Sequence, residues 1–239
     1  MPKQTDSPAP YWSLEGLVLG ARMVLALLPG MVAFGIAVGS AEAAKGFTLV
    51  ESLLMNLLVY AGMSQMVALE VWPQQMNAGA LAGLALIAAT VNARLLLLSA
   101  GMRPWLGQLP AWQSYPLLQL LTDPGWIVAM RYRSEGGADL SIYLGGALII
   151  FAFWMGATSA GYLLGALVAN PQAIALDLVM PVFFSAMLIP LWRGTTRALP
   201  WIVAGVVALL VHHLAGGWWY VVAGGLAGSI AGGFVDDRD

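Results

Sequence analysis

Long apolar segments, separated by short polar or proline-containing breaks, recur along the whole sequence. An α-helix needs about 20 apolar residues to cross the hydrocarbon core of a bilayer. Only 9% of the residues are charged, against about 25% in soluble domains. We therefore predict an all-α fold, a polytopic transmembrane helical bundle in contact with lipid. Its seven predicted spans are Leu14–Ala41, Ser52–Trp72, Ala78–Ala100, Ile142–Leu167, Ala175–Trp192, Leu199–His213 and Gly217–Phe234.

The spans divide the chain into a tail, two halves and a linker. Residues 1–12 are polar and contain prolines, which predicts a disordered N-terminal tail. Residues 13–239 are predicted to form a single transmembrane domain. Its halves cover about residues 14–100 and 141–235, and residues 101–140 join them.

The linker has an apolar centre, Leu117–Met130, which is interrupted by the polar and helix-breaking residues from Thr122 to Gly125. The interruption favours a re-entrant or surface helix over a clean span, with an eighth span as the alternative. Lysine and arginine concentrate in cytoplasmic loops. Seven spans with the N-terminus outside place nearly all basic residues inside. Eight spans put the N-terminus inside and leave Lys45 and Arg103 outside.

The first span is long and carries Pro29 and Gly30 near its middle. Proline removes a backbone hydrogen bond and glycine eases unwinding, which predicts a broken first helix, with a simple kink as the alternative. A shift of 126 positions also indicates an internal repeat, of the kind found in many transporters. The halves would be inverted with seven spans and parallel with eight. The shift superposes Gly20 on Gly146, Gly35 on Gly161, Gly39 on Gly165, Glu51 on Asp177 and Gly79 on Gly205.

Several polar residues lie inside apolar segments, where an amide without a partner is costly. Gln65 is either an interhelical hydrogen-bonding group or part of a polar transport path. Arg94 either reaches the interface with its long side chain or holds a carboxylate, which could come from Asp123, Asp177 or a solute. Asp123 either caps a helix or offers a functional carboxylate. The candidate substrate-binding residues are Pro29, Gly30, Tyr60, Gly62, Ser64, Gln65, Asn92, Arg94, Thr122 and Asp123.

Other functions find little support in the sequence. The chain has no cysteine, so disulfides and cysteine-bound metals are excluded, and we predict no metal site and no cofactor. His212 and His213 are adjacent, so their side chains diverge by about 100° on a helix. A net charge of −2 gives no reason to expect nucleic acid. We expect no enzyme activity. A membrane enzyme or a non-transporting assembly subunit remains the alternative to a transporter.

Gly224, Gly228 and Gly232 recur at every fourth position of the last span. A stripe of small residues lets a second helix approach closely. The second helix is either another segment of this chain or a separate membrane subunit.

The residues also resemble a known family along nearly the whole chain. Tyr60-Ala61-Gly62-Met63-Ser64-Gln65 is similar to the Y-A-G-A-S-Q motif of the AzlC family, the large subunits of branched-chain amino acid exporters. The resemblance implies an exporter in the bacterial inner membrane that works with a small AzlD-type membrane subunit. Two positions depart from the family pattern, where Pro124 replaces a glutamate and Leu95 a histidine. Further matching segments are Leu28-Pro29, Ala33-Phe34-Gly35, Gly46-Phe47, Glu51-Ser52, Asn92-Ala93-Arg94, Leu121-Thr122-Asp123 and Leu178–Phe183.

Overall fold

The computed structural model describes residues 11–167, 194–195, 198–216 and 219–236. The predicted span Ala175–Trp192 and nearly all of the predicted N-terminal tail lie outside the described residues. Within the described residues the chain is almost entirely helical, and an isolated β-bridge joins Tyr11 to Asp139.

Three helical segments in the described part are long and apolar enough to cross a membrane: Leu14–Ala44, Ala78–Leu106 and Ser141–Gly165. Shorter apolar helices accompany them. The predicted all-α membrane bundle is therefore confirmed. The helices are α1 (Leu14–Met23), α2 (Leu28–Ala44), α3 (Leu49–Leu58), α4 (Gly62–Glu70), α5 (Ala78–Leu106), α6 (Ala111–Gln119), α7 (Asp123–Ser134), α8 (Ser141–Leu167), α9 (Leu199–Ala215) and α10 (Trp219–Asp236).

The described residues fall into two compact units. The first contains the chain up to Gly62 together with Ala93–Leu167. The second contains Met63–Asn92 and the described residues from position 194 onward.

In the first unit, α1 and α2 pack against α8 through glycines. A side chain at Gly20 would collide with the backbone of Ile142, and one at Gly39 with the backbone of Thr158. Gly165 lies against Ser40. Later residues of α1 and α2 contact later residues of α8, so α1 and α2 run in the same direction as α8. Such close backbone approach supplies the packing energy that lipid-exposed helices cannot gain from the hydrophobic effect.

The starts of this helix pair are joined by backbone hydrogen bonds. The Tyr11 N–H donates to the Ala138 carbonyl at 3.4 Å, and the Leu140 N–H donates to the Tyr11 carbonyl at 3.0 Å. The 126-residue shift superposes these two helices, so their shared direction is that of parallel halves. The inverted halves of the seven-span arrangement would place them antiparallel.

The linker begins and ends at the same end of the unit. The indole N–H of Trp105, in the last turn of α5, donates to the Ala138 carbonyl at 3.4 Å. Between these points α6 and α7 reach the level of Ile150, in the first half of α8, where Ile150 approaches Gly125. The segment Leu117–Met130 therefore enters and returns without crossing, in agreement with the re-entrant interpretation.

The same contacts correct the predicted orientation. The N-terminal segment at Tyr11 and the linker residue Ala138 lie at one end, so the N-terminus cannot be outside while the linker is inside. Arg103, Arg131 and Arg133 also lie at or near this end, because Arg133 reaches the Pro104 carbonyl. Because lysine and arginine concentrate on the cytoplasmic side of membrane proteins, we now predict that this end, with the N-terminus, faces the cytoplasm.

Two predicted spans are broken. The first is interrupted by a 3₁₀ turn, Leu25–Leu27, and Pro29 occupies the first turn of α2, where a missing N–H is tolerated. The second, Ser52–Trp72, is divided into α3 and α4. Tyr60, the middle residue of the connection between them, has a φ of 43°.

In the second unit, α9 and α10 pack together along the glycine stripe. Side chains at Gly224 and Gly228 would collide with Ala208 and Ala204 of α9. Gly232 lies beside Pro200. The stripe therefore contacts a helix of the same chain, and the hypothesis that it docks a separate subunit is wrong, because α9 already fills the groove.

Candidate functional site

The break after α3 places Tyr60 and Gly62 beside α8. A non-glycine residue at positive φ costs about 1 kcal/mol or more, and such strain concentrates at functional sites. The buried Tyr60 ring packs edge-on against Phe151 at 5.2 Å. Its hydroxyl has no hydrogen-bond partner among the described residues. A side chain at Gly62 would collide with the rings of Trp154 and Phe34, so only glycine fits there.

Arg94 and Asp123 form an ion pair, with 3.1 Å between Nη2 and Oδ2. Arg94 therefore holds a carboxylate and does not merely reach for the interface. Thr122 is the N-cap of α7 and its hydroxyl accepts from the Gly125 N–H, so Asp123 is not the cap but lies in the first turn. The two side chains keep 35% and 42% of their surface exposed, and Arg94 Nε is buried without a partner in the described part.

Ser64, Gln65 and Asn92 belong to the second unit. Ser64 and Gln65 are buried, and the Asn92 amide donates to the Ser64 hydroxyl at 3.0 Å. This bond joins α4 to α5, as interhelical hydrogen bonds in membranes do. The Asn92 carbonyl oxygen is buried with no partner among the described side chains and backbone. A transport role for Gln65 stays a prediction.

Pro29 and Gly30 lie apart from these groups. Both are exposed on α2, and a side chain at Gly30 would meet no atom within 4 Å. In the described ranges, no hydrogen bond or ion pair joins them to the other candidate residues.

The structure adds a polar cluster that the sequence reasoning missed. Glu42 in the last turn of α2 is fully buried, and its carboxyl accepts hydrogen bonds from the Ser52 hydroxyl and the Asn56 amide. The Asn56 oxygen in turn accepts from the indole N–H of Trp154 at 3.1 Å. Glu42, Ser52, Asn56 and Trp154 are called the Glu42 network below. Its four members come from α2, α3 and α8.

A weak sequence signal for this network exists. The first predicted span ends at Ala41, one residue before Glu42. Ser52 and Asn56 are four residues apart and therefore share one face of α3. Nothing in the sequence placed that face against Glu42.

A neighbouring acid, Glu51, has a different environment. It is exposed and forms a capping box with Thr48 at the start of α3. Hydrogen bonds from the Thr48 backbone and then its hydroxyl hold the pKa of Glu51 below its ordinary value. Glu51 is therefore a helix cap, which is the structural role that the helix dipole favours.

Broken apolar helices with buried polar side chains define a polytopic membrane protein with an internal polar region. The sequence model described as AzlC protein matches residues 26–168, well over half of the chain. The chain belongs to the AzlC family of membrane proteins.

A relative from Archaeoglobus fulgidus, described as an uncharacterized membrane protein, is 26% identical over 224 residues. The match covers 92% of this chain and 94% of the relative. No solved structure matches the chain.

Proposed function

We propose that this protein is the pore-forming subunit of a secondary transporter that exports branched-chain or related neutral amino acids. Membership of the AzlC family supports the proposal. Helices interrupted at membrane depth support it as well, because non-helical backbone is tolerated there only against protein or a water-filled cavity. Such breaks are where many secondary transporters bind their solutes.

The observation that carries the proposal is the Arg94–Asp123 pair. A neutral amino acid is a zwitterion, and this pair offers one group of each sign to it. The guanidinium of Arg94 suits a carboxylate, and its buried Nε is an unused donor in the described structure. Asp123 suits the ammonium group. Both side chains are partly exposed, so a solute can reach them.

The proposed location is the plasma membrane of a prokaryotic cell, and the proposed partner is a small AzlD-type membrane subunit. We expect that subunit to copurify with this chain when the two are produced together. Because α9 occupies the glycine stripe, the contact must involve another surface. Gly228→Leu should therefore lower the folded amount of this chain without selectively releasing the partner.

The test of the function is an efflux measurement. Cells are loaded with an isoleucine-containing dipeptide, which peptidases hydrolyse, and the isoleucine that appears outside is measured. A deletion strain carrying this gene and its partner should export isoleucine several-fold faster than the deletion strain alone. Equal efflux from both strains for every neutral amino acid would overturn the proposed substrate class.

Arg94→Gln should reduce that efflux about tenfold or more while leaving the folded amount in the membrane nearly unchanged, because the lost interaction is with a charged group. The matched control is Arg131→Gln, which breaks the exposed Arg131–Glu135 pair. Such surface pairs contribute little, so the control should transport normally.

Gln65→Ala tests the second unit in the same assay. Parallel loss of protein and activity would instead identify these residues as structural.

A further inference from the structure

The Glu42 network encloses an acid whose neighbours are neutral. Burial of a carboxylate is costly unless an opposite charge or several donors compensate. In the described ranges no lysine, arginine or histidine forms an ion pair with Glu42. Its position in the last turn of α2 adds to the cost, because the C-terminal end of a helix disfavours a negative charge.

Among the described residues, the other titratable and charged groups near Glu42 do not offset its charge. Glu51 is the acid of α3, but it is exposed and bonded to Thr48. Lys45, three residues beyond Glu42, is exposed. α8 has no charged residue, and its titratable groups are two tyrosines. Tyr143 donates to the Leu117 carbonyl and Tyr162 to the Phe47 carbonyl.

The hydrogen bonds can serve both the charged and the neutral acid. When Glu42 is ionised, the Ser52 hydroxyl and the Asn56 amide donate to it. When Glu42 is protonated, its O–H can donate to the Ser52 oxygen, because a hydroxyl both donates and accepts. The Ser52 hydroxyl can then turn to the carbonyl of Thr48, four residues earlier at the N-cap of α3.

The network discriminates against other cations. The indole N–H of Trp154 can only donate, and it binds the Asn56 oxygen. The Asn56 amide therefore turns its NH₂ group, not its oxygen, toward Glu42. A metal ion or a solute ammonium between them would face those hydrogens. Glu42 also has no exposed surface, whereas a proton needs no cavity.

We infer that Glu42 is a proton-binding site whose proton is taken up and released during transport. This inference rests on the proposed transport function. Trp154 links the site to the broken helix, because it binds Asn56 and its ring also fills the space next to Gly62. A change in the hydrogen bonds of Glu42 would therefore alter the packing of the turn at Tyr60 through α3 and Trp154.

The first test needs no substrate. The purified protein, with its partner when coproduced, is titrated in H₂O and in D₂O, and the infrared band of protonated carboxyl groups is recorded. One pH-dependent carboxyl band should be present in the wild type and in Glu51→Gln, and absent from Glu42→Gln. An unchanged set of bands in Glu42→Gln would overturn the inference.

Ser52→Ala keeps Glu42 and removes one of its hydrogen-bond donors. It therefore tests the proton site even if Glu42→Gln does not fold. The titration midpoint of the carboxyl band should shift by about one pH unit, since that donor bonds the two protonation states unequally. A midpoint identical to that of the wild type would contradict the inference.

Proteoliposomes separate coupling from transport. Net isoleucine movement driven by a pH gradient should be lost in Glu42→Gln, whereas isoleucine exchange without a gradient should continue. Gradient-driven movement in Glu42→Gln at the wild-type rate would refute the proton site and leave the transport function intact. Absence of exchange in the wild type would refute the proposed substrate, and the infrared titration would still judge the proton site.

Discussion

Two buried carboxyl groups lie at opposite ends of the same parallel helix pair. Asp139 lies where α1 and α8 begin, and Glu42 lies where α2 ends. Asp139 accepts hydrogen bonds from the Ser13 hydroxyl and the Ser141 N–H. Glu42 accepts from a hydroxyl and an amide side chain.

The difference between them is the helix dipole. At Asp139 the positive ends of α1 and α8 converge, and a negative charge there is stabilised. At Glu42 the negative end of α2 opposes the charge. The same side-chain chemistry therefore serves a structural role where two helices begin, and at the end of α2 it provides the acid that we propose as the proton site.

The two acids would face opposite sides of the membrane. Because α1–α2 and α8 are parallel, an odd number of crossings separates Ala44 from Ser141. Helix α5 supplies one. The linker returns to the side where it began, so we expect the broken segment of residues 49–70 to return to its own side as well.

Single cysteines test this arrangement with an all-or-none outcome, since the chain has no cysteine. Lys45→Cys and Gln74→Cys should react with an impermeant maleimide in intact cells. Ser7→Cys and Glu135→Cys should react only after lysis. Labelling of Ser7→Cys in intact cells would restore the N-terminus-outside orientation, and opposite results at positions 45 and 74 would show that the segment between them crosses.

The glycine packing that holds both acids in place should be the most sensitive to substitution. Gly39→Ala forces a methyl group into the Thr158 backbone, and overpacking of this kind destabilises by about 3 kcal/mol. The matched control is Gly156→Ala in α8, where nothing lies within 4 Å. It should be neutral or stabilise the helix by up to about 1 kcal/mol. Thermal unfolding of the purified protein measures both, and equal losses would contradict the packing argument.

The smallest expected effect is a difference in stability between variants of the two acids. Asp139→Asn removes the charge at the helix starts and should destabilise the fold by about 2 kcal/mol. Glu42→Gln removes a charge from the helix end that disfavours it, so its stability should stay near that of the wild type. Gradient-driven transport per folded molecule should show the reverse order. If both variants lose stability equally, Glu42 is a structural acid like Asp139.

The sequence by itself determined the class of fold. Long apolar segments and few charged residues place the chain in a membrane. There the backbone N–H and C=O groups must be hydrogen-bonded within helices. The sequence also located two of the breaks, because Pro29 and the residues Thr122 to Gly125 carry local helix-breaking signals, and the structure interrupts helices at or next to both. The break at Tyr60, inside the predicted span Ser52–Trp72, was not predicted. The Arg94–Asp123 pair was one of the stated alternatives, since a charge in an apolar segment seeks an opposite charge.

Only the tertiary structure decided which helices meet and in which direction. The sequence of the glycine stripe on α10 is the same whether the stripe packs against α9 or against another chain. The sequence repeat is likewise the same whether the two halves are parallel or inverted. The Glu42 network was invisible for the same reason. Ser52 lies 10 positions and Trp154 lies 112 positions from Glu42 in the sequence. A buried acid differs from an interfacial one only through the neighbours that packing places around it.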